Sequence, residues 1–110
     1  METIFITGAN RGIGLELTRQ ALAAGNRVAA GCRQPDAAAD LQALTAQFGD
    51  TLLVLTLDVS KDDQVSAAAA AVAAQFGHVD MLINNAGIFP RGESVAQFDA
   101  AAMLRTLDVN

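Results

Sequence analysis

One stretch of this 110-residue chain holds residue types at a spacing that suits a phosphate, and two more place Asp or Asn just behind apolar runs. The first is Thr7-Gly8-Ala9-Asn10-Arg11-Gly12-Ile13-Gly14, directly behind the apolar run Ile4-Phe5-Ile6. It reads as a strand, a glycine turn and a helix opening at Ile13. Gly8 allows a sharp turn off the strand that a side chain would strain. Gly12 leaves room for a phosphate against the backbone, and Gly14 lets the helix pack close to the sheet. The free N–H groups of the helix start would then face that phosphate, with the helix dipole adding to the attraction. The spacing is Gly-x-x-x-Gly-x-Gly and no Gly-Lys-Ser/Thr follows, which argues against a P-loop. Taken alone, it could be only a tight βα turn.

The second stretch is Leu57-Asp58-Val59 at the end of an apolar run, and the third is Asn84-Asn85-Ala86-Gly87 behind another. Asp58 could be only a solvated strand end, and the Asn-Asn-Ala-Gly string only a turn. Other candidates have bland readings. His78 is the only histidine and follows a helix-ending glycine, as a surface loop residue would. Cys32, Met81 and Met103 read as packing residues, and no cluster has metal-ligand spacing.

Positioning these stretches takes a repeating frame. Strand one is Thr3–Thr7; the helix behind the glycine turn puts Ile13, Leu17, Ala21 and Ala24 on one face, and Gly25 caps it. Strand two is Arg27–Gly31. Pro35 fits the first turn of the next helix, whose stripe is Ala37, Leu41, Leu44 and Phe48 and which stops at Gly49. Strand three, Leu52–Leu57, is almost continuously apolar, as a parallel strand covered on both faces would be. Ser60 with Asp63 forms a near capping box for a third helix with Val65, Ala69, Val72 and Phe76 on its buried stripe and Gly77 at its end. Strand four is Val79–Asn84. A loop holding Pro90 and Gly92 leads to a last helical stretch near Val95 to Asn110. This cadence predicts an α/β fold, a parallel sheet of Rossmann type in order 3-2-1-4.

Composition sets the outer limits. One domain, residues 1–110, is expected, and a hydrophobic content of 52% is ample for a core. A net charge of −5 argues against nucleic acid or an anionic membrane as partner. One cysteine excludes an internal disulfide and fits a reducing compartment. Met1-Glu2-Thr3 runs straight into the first strand, and the alanine-rich stretch from Val65 to Phe76 is too short to span a bilayer. A cytoplasmic protein is expected.

With these motifs in order, and Leu107-Asp108-Val109-Asn110 at the end, the chain resembles the N-terminal part of a classical short-chain dehydrogenase/reductase. The wording from Ile6 to Leu17, with Cys32-Arg33-Gln34-Pro35, is most similar to the carbonyl-reductase-like branch that includes sniffer and C-factor proteins. The resemblance implies that Gly8, Gly12, Ile13 and Gly14 contact the pyrophosphate and adenosine side of a nicotinamide dinucleotide. Asp58, with Val59 beside it, would accept a hydrogen bond from the adenine amino group. Asn85, Ala86 and Gly87 would lie against the ribose, while Asn84 ties strand four to its neighbours. Asn110 matches the family's catalytic asparagine.

Cofactor choice follows from charge. An acid at the end of strand two would bind the ribose 2′-OH of NAD and repel a 2′-phosphate. Here Gly31-Cys32-Arg33 carries no acid before Asp36, and Arg33, joined by Arg11, can pair a phosphate with a planar fork. NADP(H) is therefore expected over NAD(H).

The resemblance also implies a serine, a tyrosine and a lysine downstream of Asn110 for hydride transfer to or from a carbonyl or alcohol substrate. This chain has no tyrosine, and its only lysine, Lys61, starts a distant helix. As written it should be inactive, with the C-terminal half of the fold absent and Met81-Leu82-Ile83 on an apolar sheet edge inviting self-association. The alternatives are a non-catalytic nucleotide-binding module, or partner of a full-length homologue, and, third, an extended relative such as an epimerase or NmrA-like redox sensor. The glycine spacing and the Asn-Asn-Ala-Gly string speak against the last.

Overall fold

A computed structural model of the chain describes residues 1–85. Four parallel strands form one sheet in the order β3-β2-β1-β4. They are β1 (Thr3–Thr7), β2 (Arg27–Cys32), β3 (Leu52–Thr56) and β4 (Met81–Ile83), with helices α1 (Gly12–Ala23), α2 (Ala39–Phe48) and α3 (Asp62–Phe76) between them. The expected order 3-2-1-4 is the observed one. β1, β2 and β3 step outward in one direction and β4 returns to the far side of β1, so the order reverses at β1.

The side-chain alternation of the strands sorts the core into two layers. Ile4, Ile6, Val28, Ala30, Cys32 and Leu52 pack on the side of Leu22 of α1 and of Leu41 and Leu44 of α2. Phe5 and Ala29 pack on the other side against Ala68, Ala69, Val72 and Phe76 of α3. A sheet with helices on both faces must be apolar on both, which is why its strands read as runs. Among the described residues β3 pairs only with β2, and Leu53, Val54 and Leu55 are only half-buried although they feed alternate layers.

Several element details differ from expectation. In α1 the buried line is Gly14, Thr18 and Leu22, with Leu17 and Ala21 only partly buried, and Ile13 is 72% exposed. The smallest residue faces the sheet because α1 starts so close to it, and that rotates the apolar stripe away from Ile13. Thr18 is tolerated there because its Oγ1 donates to the Gly14 carbonyl at 2.8 Å. Gly25, at φ 91°, ends α1 as expected. The N–H of Gly25 bonds Leu22 O and that of Asn26 bonds Ala21 O, a Schellman closure.

β2 runs one residue further than expected, to Cys32. Pro35 opens a separate 3-10 turn (Pro35–Ala37), and α2 begins only at Ala39, so Ala38 is buried in place of Ala37. β3 stops at Thr56, yet the Leu57 N–H still bonds the Cys32 carbonyl at 2.8 Å. Ser60 does not cap α3, whose N-cap is Lys61 with no side-chain bond. β4 is shorter than Val79–Asn84, because its ends are tied by side chains rather than by ladder bonds alone. Met81, expected to pack, is 44% exposed. The expected loop after Gly87 and the last helix lie outside the described residues. Among the described residues no helix is long and apolar enough to cross a membrane.

Candidate functional site

The loops at the carboxyl ends of the strands meet where the strand order reverses, the position at which open α/β sheets leave a crevice. On one side is the turn after β1. Gly8 and Gly12 adopt φ of 62° and 59°, a region that only glycine enters without strain. The turn is pinned to β2 by the Ala9 N–H on the Gly31 carbonyl at 3.1 Å. Among the described residues no heavy atom lies within 4 Å of where a Cβ on Gly12 would stand, so the space above it is open. Gly14 is the reverse case. A Cβ there would collide with the Gly8 carbonyl oxygen and stand 2.7 Å from Asn85 Nδ2. The glycine thus lets the start of α1, the turn and the loop after β4 come together.

Thr7 locks the same junction. Fully buried at the end of β1, its Oγ1 donates to Asn84 Oδ1 at 2.9 Å and accepts the Asn85 N–H at 2.8 Å. Asn84 thus ties β4 to its neighbour as expected. The part played by Thr7 was not visible in the sequence, where a threonine in a strand signals only β propensity.

The N-terminus of α1 differs electrostatically from those of α2 and α3. Among the described residues none of the three helices has a side-chain cap, but α2 has Asp40, and α3 has Asp62 and Asp63, in the first turn. α1 has no acid there, and its N-cap is the extended, exposed Arg11. The Arg11 carbonyl accepts its first helical bond, from the Leu15 N–H. The positive end of the dipole and the N–H groups of the first turn lie next to Arg11 in a chain that is acidic overall. Ile13, excluded from the core, stands exposed beside them.

The second half of the site lies beyond β2 and β3. Arg33 is exposed just past Cys32. Gly31 is needed here, since a Cβ on it would come within 2.9 Å of the Leu57 side chain that crosses it. Nothing in the spacing of the sequence signalled this close approach. Cys32 is buried as expected, and burial pushes its thiol pKa up. Asp58 Oδ1 accepts both the Ser60 N–H, at 3.0 Å, and the Ser60 hydroxyl, at 2.6 Å. These bonds hold its carboxyl below the usual range, with Arg33 and Lys61 adding smaller attractions. Val59 is half-buried against the α3 layer.

The structure therefore brings together Gly8, Arg11, Gly12, Ile13, Gly14 and Asn85 at the reversal, and Arg33 and Asp58 beside one another at the ends of β2 and β3. Ala86, Gly87, Met103 and Asn110 lie outside the described residues. Among the described residues no group of three or more His, Cys, Asp or Glu could hold a metal ion.

Residues 2–110 match the family model described as short chain dehydrogenase. The chain belongs to that family. It corresponds to the N-terminal portion of a classical member. It is 34% identical over 109 residues to 3beta-hydroxysteroid dehydrogenase 2 of Eggerthella lenta, covering 99% of this chain and 42% of that protein. Among solved structures it resembles the NADPH-bound carbonyl reductase from chicken fatty liver, at 30% identity and a TM-score of 0.77, over 99% of this chain and 47% of that one. A carbonyl reductase from Pseudomonas aeruginosa PAO1 in complex with NADP matches at 36% identity and a TM-score of 0.74, over 92% of this chain and 46% of that one. The chain thus spans less than half the length of these three relatives.

Proposed function

We propose that this chain is the cofactor-binding part of an NADP(H)-dependent oxidoreductase of the carbonyl-reductase-like branch, and that by itself it binds the dinucleotide without catalysing hydride transfer. The observation that carries the reading is the start of α1, uncapped, free of acids and headed by Arg11, set against an open Gly12. That arrangement suits a pyrophosphate. Gly8, Gly12, Ile13 and Gly14 line its approach. Asp58 and Val59 take the adenine, and Asn85 with Ala86 and Gly87 takes the ribose next to the nicotinamide. When bound, the nicotinamide supplies or accepts a hydride.

Arg33, with Arg11, pairs the 2′-phosphate, and the absence of an acid before Asp36 removes the repulsion an NAD-type site would impose. The NADPH and NADP named for the two carbonyl reductases support the same choice. Asn110 would order part of a proton relay in a complete enzyme acting on a small carbonyl or alcohol. These 110 residues contain no tyrosine that could exchange the proton. The second reading, resting on the same dinucleotide site, is a non-catalytic nucleotide-binding module or partner of a full-length homologue. A cytoplasmic setting belongs to either reading.

Binding titrations with NADPH and NADH test the cofactor assignment. Arg33→Ala should weaken NADPH about tenfold, the worth of roughly one charge-assisted bond, and leave NADH almost unchanged. An unchanged ratio would remove Arg33 from the site. Carbonyl reduction by the chain as it stands would overturn the binding-only reading.

A further inference from the structure

Ser60 is expected from its sequence position to cap α3, but its hydroxyl goes elsewhere. Both of its donors, Oγ–H at 2.6 Å and N–H at 3.0 Å, fall on one oxygen of Asp58, Oδ1. From the first turn of α3, Gln64 reaches back and its Oε1 accepts the Asp58 N–H at 2.7 Å. The Asp58 carbonyl in turn accepts the Lys61 N–H at 2.9 Å. Asp58 is therefore held at its amide, its carbonyl and one carboxylate oxygen, all by residues of the loop and helix that follow it. α3 gives up a side-chain N-cap for this arrangement.

We propose that Ser60 and Gln64 are positioning residues that fix the Asp58 carboxylate so that it reads the amino group of adenine, making the site selective for adenine over a base with a carbonyl at that position. The inference rests on the dinucleotide reading above. An ionised carboxylate is a pure acceptor with room for about four hydrogen bonds over its two oxygens. Ser60 occupies only Oδ1, so Oδ2 keeps its acceptor capacity on a group that can no longer swing freely. An amino group donates to such an acceptor. A carbonyl at the same place would set lone pairs against a fixed negative charge, and that repulsion is the source of discrimination. A mobile carboxylate would turn aside and blunt both effects, because the cost of ordering it would then fall on the binding step.

The experiment titrates the full 110-residue chain with NADPH and with its hypoxanthine analogue, in which a carbonyl replaces the 6-amino group, following nicotinamide fluorescence. The wild type should bind NADPH about tenfold more tightly. Ser60→Ala should weaken NADPH by about fivefold while leaving the analogue within about twofold, so that selectivity collapses. Ser60→Thr, which keeps the hydroxyl, should restore it, and Gln64→Ala should shift selectivity in the same direction by less. Far-UV circular dichroism of each variant shows whether α3 persists. A merely structural role would weaken both dinucleotides together, and that result, or no loss at all, overturns the proposal. Equal wild-type affinity for the two dinucleotides overturns it while leaving the dinucleotide reading intact. A wild type that binds neither overturns both.

Discussion

Gly14 stands between the Gly8 carbonyl and the Asn85 side chain with no room for a methyl group. Gly14→Ala should cost about 3 kcal/mol, the upper end for overpacking, and should abolish NADPH binding at concentrations that saturate the wild type. Chemical denaturation and a binding titration check the two parts separately. Gly12→Ala meets open space and is opposed by backbone conformation alone. Such glycines are legible in a sequence because few other residues supply their geometry. Thr7 was not legible as a lock, because its partners Asn84 and Asn85 lie 77 and 78 residues away. Ser60 was misread for the opposite reason. Its position satisfied a local rule, helix capping, while a neighbour two residues back had the stronger claim on its hydroxyl.

Among the described elements, β4 is the shortest strand, at three residues, and both ends are tied to β1 by side chains. At the carboxyl end the tie is Thr7 with Asn84 and Asn85; at the other, Asp80 Oδ2 accepts the Thr3 N–H at 2.8 Å while the Asp80 N–H bonds the Thr3 carbonyl. His78 Nε2 lies 3.2 Å from the same carboxylate oxygen, and Arg27 adds a weaker attraction from β2. The Thr3 hydrogen bond is the main cause that lowers the Asp80 pKa below its ordinary 3.8. A carboxyl depressed in the folded state contributes stability above its unfolded pKa, and loses it as pH falls through the folded value. Stability should therefore be flat above about pH 5 and decline below about pH 4. Asp80→Asn should lower neutral stability and make the acid decline shallower, as read from urea midpoints across that range. Element identity and strand order were legible from apolar runs punctuated by glycine. Element ends were less so, since the ends of β4 and the break after Pro35 depend on bonds to distant or turn residues.

At the scale of the molecule, the sheet has a helix layer on each face, but among the described residues β4 pairs only with β1. Met81 on that strand is 44% exposed. An apolar edge of this kind is a template for a further strand, so the chain should associate with itself at micromolar concentration. Met81→Glu should shift sedimentation toward monomer; a wild type that sediments as one monomer and unfolds cooperatively would remove this expectation. The pairing of β1 with β4 has another consequence, in the timing of assembly. β2 follows β1 closely, and Glu2 meets Asn26 only 24 residues on, whereas the bonds from Thr3 and Thr7 to β4 span 77. Closing the longer loop costs more chain entropy and comes later. On the ribosome, the glycine turn emerges first and waits with one flank bare until Asn85 arrives to complete it. The step that adds β4 to the sheet is therefore also the one that completes the junction around the glycine turn, and a dinucleotide that binds only that form would act on the nascent chain as a folding ligand.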